Sequence, residues 1–413
     1  MSQLVMPNPP SGETAQERVW TTADSIRSAV ALALIAGLIL LANYIGELED
    51  FGSDASVSLL MGLALGIAFE RGRFCFFCIW RDAIDRNYNS GLTSIYTALA
   101  VGSIGYTVLF ALFTPNPEGT LPPAAHIAPV GWPLVLAAFV FGIGMALSGA
   151  CISGHIYRLA EGSLRAITGL VGTVIGFMVA FITWNPLYEA GIQDAPTIWL
   201  PNYFGYTGSL LITLAVLLGL TIFALKRSDP KEQNRLAQPT TNLAQLRENL
   251  VRKRWSPWLT GAIVGSVGVV AYLRVEPLGT TRQLNSWSQN LADSLGIRPE
   301  SLAGMDTLSG CVGVVGEVVT NNGWIILGLF VAALASAISG NRFKFESINV
   351  KNGATALLGG VMLGWGAFTA LGCTVGVLLS GIQGFALSGW VFLLFSFLGV
   401  FVGIKLKLNK IGQ

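Results

Sequence analysis

The sequence predicts an all-α integral membrane protein, with about ten membrane-crossing segments arranged in two inverted-topology halves. Three observations carry that prediction. The chain of 413 residues is 52% hydrophobic and only 12% charged, about half the charge of an ordinary soluble domain. Lysine and arginine gather in some of the connections between apolar windows and are missing from others. A glycine- and cysteine-bearing motif occurs twice, on segments that this charge distribution sends through the bilayer in opposite directions.

Residues 1–26 are polar and contain Pro7, Pro9, Pro10, Glu13, Glu17 and Arg18. No small-residue cleavage site follows a short apolar core, so they are expected to form a cytoplasmic tail, not a removable signal peptide. The first membrane half is expected over 27–225, with crossings near 27–46, 56–69, 91–113, 132–149, 164–183 and 207–225. The 56–69 segment is short and is expected to cross partly buried among its neighbours. A cytoplasmic linker, 226–256, contains Lys226, Arg227, Lys231, Arg235, Arg247, Arg252, Lys253 and Arg254, with a surface helix expected near 242–254. Its plain reading is a solvated charge run; a lipid- or partner-binding segment is the alternative. The second half is expected over 257–404, with crossings near 257–273, 323–339, 353–371 and 385–404, followed by a cytoplasmic tail at 405–413. Region 274–322, with Trp287, Pro299 and Cys311, reads as a long external excursion without clear periodicity.

Orientation follows from the positive-inside rule. Arg71, Arg73, Arg81 and Arg86, then the linker, then Arg342, Lys344 and Lys351, then Lys405, Lys407 and Lys410 mark cytoplasmic regions, whereas 114–131 and 184–206 contain neither Lys nor Arg. Ten crossings with both termini cytoplasmic satisfy all of these. Segment 132–149 then runs inward and segment 353–371 outward.

Those two segments lead into the repeated motif. Gly142–Gly162 reads GIGMALSGACISGHIYRLAEG and Gly364–Gly384 reads GWGAFTALGCTVGVLLSGIQG; without gaps, Gly142, Gly144, Cys151, Gly154 and Gly162 fall on Gly364, Gly366, Cys373, Gly376 and Gly384. Each copy is an apolar run broken at a cysteine. Backbone at membrane depth leaves helix only where protein or a watery cavity satisfies its polar groups, so paired breaks point to a solute site. A weaker match relates Gly62 and Gly66 to Gly261 and Gly265, each pair followed by an arginine-bearing break, with a cysteine only in the first.

The five cysteines are Cys75, Cys78, Cys151, Cys311 and Cys373. A free cysteine is most often a small buried hydrophobe, but Cys151 and Cys373 at equivalent breaks read together as solute-contacting thiols. Cys75 and Cys78 form a C-x-x-C pair, but aromatic and basic neighbours in RGRFCFFCIWRD argue against zinc or a redox couple there. His155 stands four residues after Cys151, whereas the second copy has Val377, which argues against a shared metal. No metal, cofactor or nucleic acid is expected. The arginines are spread among loops, where the positive-inside rule explains them, and no G-x-x-x-x-G-K motif is present.

The doubled G-x-G-x6-C-x2-G pattern, preceded by R-x-R-F-C at Arg71–Cys75, resembles the YeeE/YedE family of membrane proteins from about residue 55 onward. The resemblance implies a bacterial inner-membrane protein that takes up thiosulfate or a related small sulfur anion. It also implies an hourglass of helices whose re-entrant breaks bring cysteines onto a central path. By motif position, Cys151 and Cys373 look like the essential substrate-contacting thiols and Cys75 like an auxiliary one, with Cys78 a possible addition. The lipid bilayer and a separate cytoplasmic sulfur-carrier protein are the implied partners.

The chemistry suits such a solute. Thiosulfate is a dianion with one soft sulfur and three hard oxygens, and burying it bare is costly. Protonated thiols are weak donors matched to the soft sulfur, and weak successive sites allow both entry and exit. The expected order is Cys373, then Cys151, then Cys75, with no enzymatic step. The alternative is a membrane sulfurtransferase that passes sulfane sulfur through a cysteine persulfide, for which Cys75 and Cys78, beside Arg73 and Arg81, are the candidates.

Overall fold

All the apolar windows become helices in the structure, a computed structural model that describes residues 21–48, 51–228, 253–305, 308 and 319–411. In chain order these are α1 (Thr22–Glu47), α2 (Gly52–Gly72), α3 (Phe76–Arg86), α4 (Ser90–Phe113), α5 (Trp132–Ser148), α6 (Ile152–Ala160), α7 (Arg165–Leu187) and α8 (Pro201–Arg227). Then come α9 (Pro257–Arg274), α10 (Arg282–Ser294), α11 (Asn321–Ser339), α12 (Val350–Thr369), a π-helical segment Thr374–Ser380, and α13 (Leu387–Lys405). Residues 1–20 of the expected tail, most of the 242–254 surface helix and Cys311 lie outside the described residues.

Among the described residues, eight helical stretches are long and apolar enough to cross a membrane. A ninth arises if α12 and the helical turns beyond it, bent by 43°, are one span. The remaining expected crossing, α9, is a helix of 18 residues that stands outside this set because Thr260, Ser266, Tyr272 and Arg274 interrupt it. The 56–69 window proves longer than its apolar core suggested: α2 runs for 21 residues. The outer helices present their apolar side chains outward. α8 has a mean hydropathy of 2.4 over a window only 28% buried, and Leu211, Leu218 and Phe223 on it are exposed, the inverse of a water-facing helix.

Without a hydrophobic drive between helices in lipid, close backbone contact at small residues supplies the packing. α2 sets Gly62 and Gly66 against Gly328 and Ala332 of α11, and α9 sets Gly261 and Gly265 against Thr97 and Val101 of α4. α5 sets Gly142 against Gly399 of α13, while α7 sets Gly172 and Gly176 against Gly360 and Gly364 of α12. A Cβ at Gly176 would stand 2.9 Å from Gly364 Cα, so no larger residue fits. Between them, α5 and α12 run antiparallel, with Gly144 beside Met362 and Gly366 beside Phe141. α1 packs on α2 and α11, and α8 packs on α4.

Region 274–322 departs from expectation. Where no periodic structure was expected, residues 282–294 form α10, packed on α7 and α11. Its buried face is polar: Gln283, Asn285, Ser286, Ser288 and Gln289 point inward while Trp287, Leu291 and Leu295 are exposed. Gln283 Oε1 accepts from Thr320 N at 2.7 Å, Gln289 Nε2 donates to Asn285 Oδ1 at 2.7 Å, and Ser288 Oγ donates to Val174 O at 2.8 Å.

Candidate functional site

Three cysteines occupy the same kind of place, the residue just before a helix restarts. α2 stops at Arg73, which takes a left-handed φ of 51°, and Cys75 caps α3 in extended conformation. α5 stops at Gly149, at φ 90°, where glycine avoids the Cβ penalty, and Cys151 caps α6. α12 stops at Thr369, and Cys373 caps the π segment and accepts at its Sγ from Val375 N at 3.4 Å.

The breaks at α2/α3 and α5/α6 meet. Cys75 Sγ and Cys151 Sγ lie 3.7 Å apart, either able to donate, and Ser153 Oγ is 3.4 Å from Cys151 Sγ. Both cysteines are 0% exposed. The room for this contact comes from Gly154: a Cβ there would stand 2.7 Å from Cys75 Sγ and 3.2 Å from Cys151 Sγ. The third glycine of the repeated motif thus has a steric reason in the first copy. Gly154→Ala is expected to part the two thiols and lower uptake of the sulfur anion proposed below by about tenfold, with helix content by circular dichroism unchanged.

Cys78, one turn along α3, is within hydrogen-bond reach of Cys75 and has a further partner of its own. Arg158 of α6 donates from Nη2 to Cys78 Sγ at 3.2 Å and from Nη1 to Gly149 O at 3.1 Å. The cation on this thiol is therefore Arg158, a residue that sequence reasoning passed over in favour of Arg73 and Arg81. Arg81 instead pairs with Asp82 at 2.8 Å. His155 packs against Gly169 of α7 with its Nε2 buried and unpartnered. Among the described residues, no three of His, Cys, Asp and Glu converge as a metal cluster.

Cys373 is 1% exposed and lies in the same continuous core as Cys75 and Cys151. It follows the C-terminus of α12 as Cys151 follows that of α5, so antiparallel packing puts the two at opposite ends of that helix pair. Cys373 is met there by Thr280, whose Oγ1 is 3.6 Å from its Sγ. Beside it, a narrow cleft lined by Gly131, Pro133, Leu134, Ile192, Ala370 and Leu371 opens to the surface.

Arg71 of the R-x-R-F-C segment serves a buried charge cluster. Glu70, 0% exposed, is held by Arg342, whose Nη2 donates to Oε2 at 2.8 Å, and by Ser336 Oγ at 2.6 Å. Arg71 donates to Ser336 and Ser339, both at 2.8 Å. The end of the linker is tied to the same place, since Arg254 Nη1 donates to Glu70 O at 2.8 Å. Burial, with the Arg73 cation beside it, pushes Arg254 down to about 10, which leaves it charged at neutral pH.

Apolar helices of membrane length, with thiols buried at their breaks, define a multi-pass helical membrane protein. The chain belongs to the sulphur transport family, whose model matches residues 71–402, in agreement with the YeeE/YedE resemblance of its motif. It is similar to the thiosulfate transporter TsuA of Escherichia coli (strain K12), 27% identical over 357 residues, which span 83% of this chain and 91% of that protein. It is also similar to the thiosulfate transporter TsuA of Spirochaeta thermophila, 24% identical over 83% of this chain and 95% of that protein. The probable transporter YedE of Escherichia coli (strain K12) matches a shorter stretch, 29% identical over 161 residues, 39% of this chain and 38% of that protein.

Proposed function

We propose that the protein carries thiosulfate, or a related small sulfur anion, across the bacterial inner membrane by passing it between cysteine thiols. The observation that carries this reading is the buried contact of Cys75 and Cys151, 3.7 Å apart at two helix breaks. Two neutral thiols offer adjustable weak donors to a soft sulfur without the grip of a fixed cation. Cys373, in its own break, is the other station, and Cys75 rather than Cys78 lies on the path because Cys78 is engaged by Arg158. The similar proteins are named as transporters, and no observation favours the sulfurtransferase alternative.

The inverted-halves architecture of about ten crossings is part of the proposal. It is supported by reciprocal packing: α2 on α11 answers α9 on α4, and α5 on α13 answers α12 on α7. α8 on α4 likewise answers α1 on α11. By that correspondence the second unit is better begun at α8 than at the end of the basic linker. Both termini are assigned to the cytoplasm on the charge distribution, where a separate sulfur-carrier protein would receive the product.

The test is uptake of labelled thiosulfate into vesicles containing the purified protein. Uptake above protein-free vesicles is expected, falling about tenfold in Cys75→Ser and by less than about twofold in Cys78→Ser. Uptake no faster than in protein-free vesicles would end the transport reading; the reverse ranking of the two variants would exchange their roles.

A further inference from the structure

The two thiol stations have unlike partners. At one, a cysteine faces a cysteine; at the other, Cys373 faces Thr280, which is 0% exposed, with Oγ1 3.6 Å from Sγ. Thr280 lies in the α9/α10 break much as Cys75 lies in the α2/α3 break. Cys75 is itself the residue before α3, whereas Thr280 stands one further back, ahead of Thr281. The preceding helices match as well: α9 reaches its partner through Gly261 and Gly265, α2 through Gly62 and Gly66.

The surroundings also differ in kind. Thr281 and Thr374, which follow the two contacting residues, are each 1% exposed, and neither hydroxyl has a hydrogen-bond partner. Buried hydroxyls left unpaired are uncommon, and each calls for a specific reason. Beyond Thr281 runs α10, whose buried face is uncharged and mostly polar, with Leu284 and Ala292 its apolar members. Beyond Cys75 runs α3, whose buried face is Phe76, Phe77, Cys78, Ile79 and Trp80.

Resting on the transport reading above, we propose that Thr280 is a substrate-contacting residue that makes a mixed hydroxyl–thiol station with Cys373. The hydroxyl donates to a hard oxygen of the sulfonate end while the thiol faces the soft sulfur, so this station reads both ends of the anion at once. Thr281 and Thr374 supply further hydroxyl donors to the oxygens. The station thereby selects an anion with unlike ends over one with only oxygens.

The deciding comparison is Thr280→Ser against Thr280→Ala, since both lose the methyl group and only the first keeps the hydroxyl. Thiosulfate uptake into vesicles is measured with each, beside wild type and Cys151→Ser, and unlabelled sulfate serves as competitor. Thr280→Ser is expected to transport about tenfold faster than Thr280→Ala, the difference lying in KM, with sulfate competing no more strongly in Thr280→Ala because sulfate loses the same hydroxyl donor. Equal uptake by the two variants would overturn the role of Thr280 and leave transport standing. Absence of uptake by wild type would instead remove the transport reading itself, so the two failures are distinguishable. If neither variant accumulates as folded protein, the Thr280→Cys variant decides: it replaces the oxygen-directed donor by a second thiol and is expected to carry thiosulfate while excluding sulfate more strongly than wild type, and unchanged exclusion would overturn the proposal.

Discussion

Cys151→Ser is expected to lower the proposed thiosulfate uptake roughly 30-fold, equivalent to about 2 kcal/mol at the station, and Cys373→Ser to do so to a similar extent. Serine retains a donor and fits the space, so the loss isolates what sulfur contributes. Cys151 has two side-chain partners, Cys75 Sγ at 3.7 Å and Ser153 Oγ at 3.4 Å. A shorter, harder hydroxyl in that position pairs better with Ser153 and worse with both Cys75 and a soft sulfur, so it binds its neighbour in place of the solute. The measurement is initial uptake rate per folded protein. Wild-type rates in both serine variants would remove the thiols from the mechanism, however well buried they are.

The second large effect is on stability. Glu70→Ala is expected to lower the unfolding free energy by about 3–5 kcal/mol, because removing one member of a buried ion pair strands the other. The carboxylate is 0% exposed and receives Arg342 and Ser336 directly, while Arg71 reaches the same serine. Without it, Arg342 and Arg71 remain close together, with the Arg254 guanidinium also near. Glu70→Gln, which keeps an acceptor but not the charge, is expected to fall between. Thermal unfolding in detergent reads both variants. A midpoint for Glu70→Ala equal to that of wild type would show that the cluster does not hold α2, α11 and the linker end together.

The helices were legible because apolar run length survives whatever the tertiary structure does: every window from 27–46 to 385–404 is helical. α10 was not. Hydrophobic periodicity is read on the assumption that the apolar face is the buried one, and here Gln283, Asn285 and Gln289 face in while Trp287 and Leu291 face out. The repeat alignment identified Cys151 and Cys373 as equivalent, but it carried no information on what each touches. The folded chain gives each a different neighbour, Cys75 and Thr280, because contact depends on which broken helices cross and not on which resemble each other. Thr280 was invisible for a further reason: matching by cysteine cannot find a position where the chemistry has changed from thiol to hydroxyl. Arg158 carried no signal, since a single arginine in a short amphipathic segment reads as an ordinary interfacial residue.

The interlocking of early and late helices bears on how the molecule is made. α2, α4, α5 and α7 leave the ribosome long before α11, α9, α13 and α12, against which their glycine seams close. Until synthesis is nearly over, those seams can meet only lipid, and Cys75 and Cys151 touch inside an unfinished wall. The glycine seams therefore close only once the late helices have been made, which ties packing of the first helices to completion of the chain.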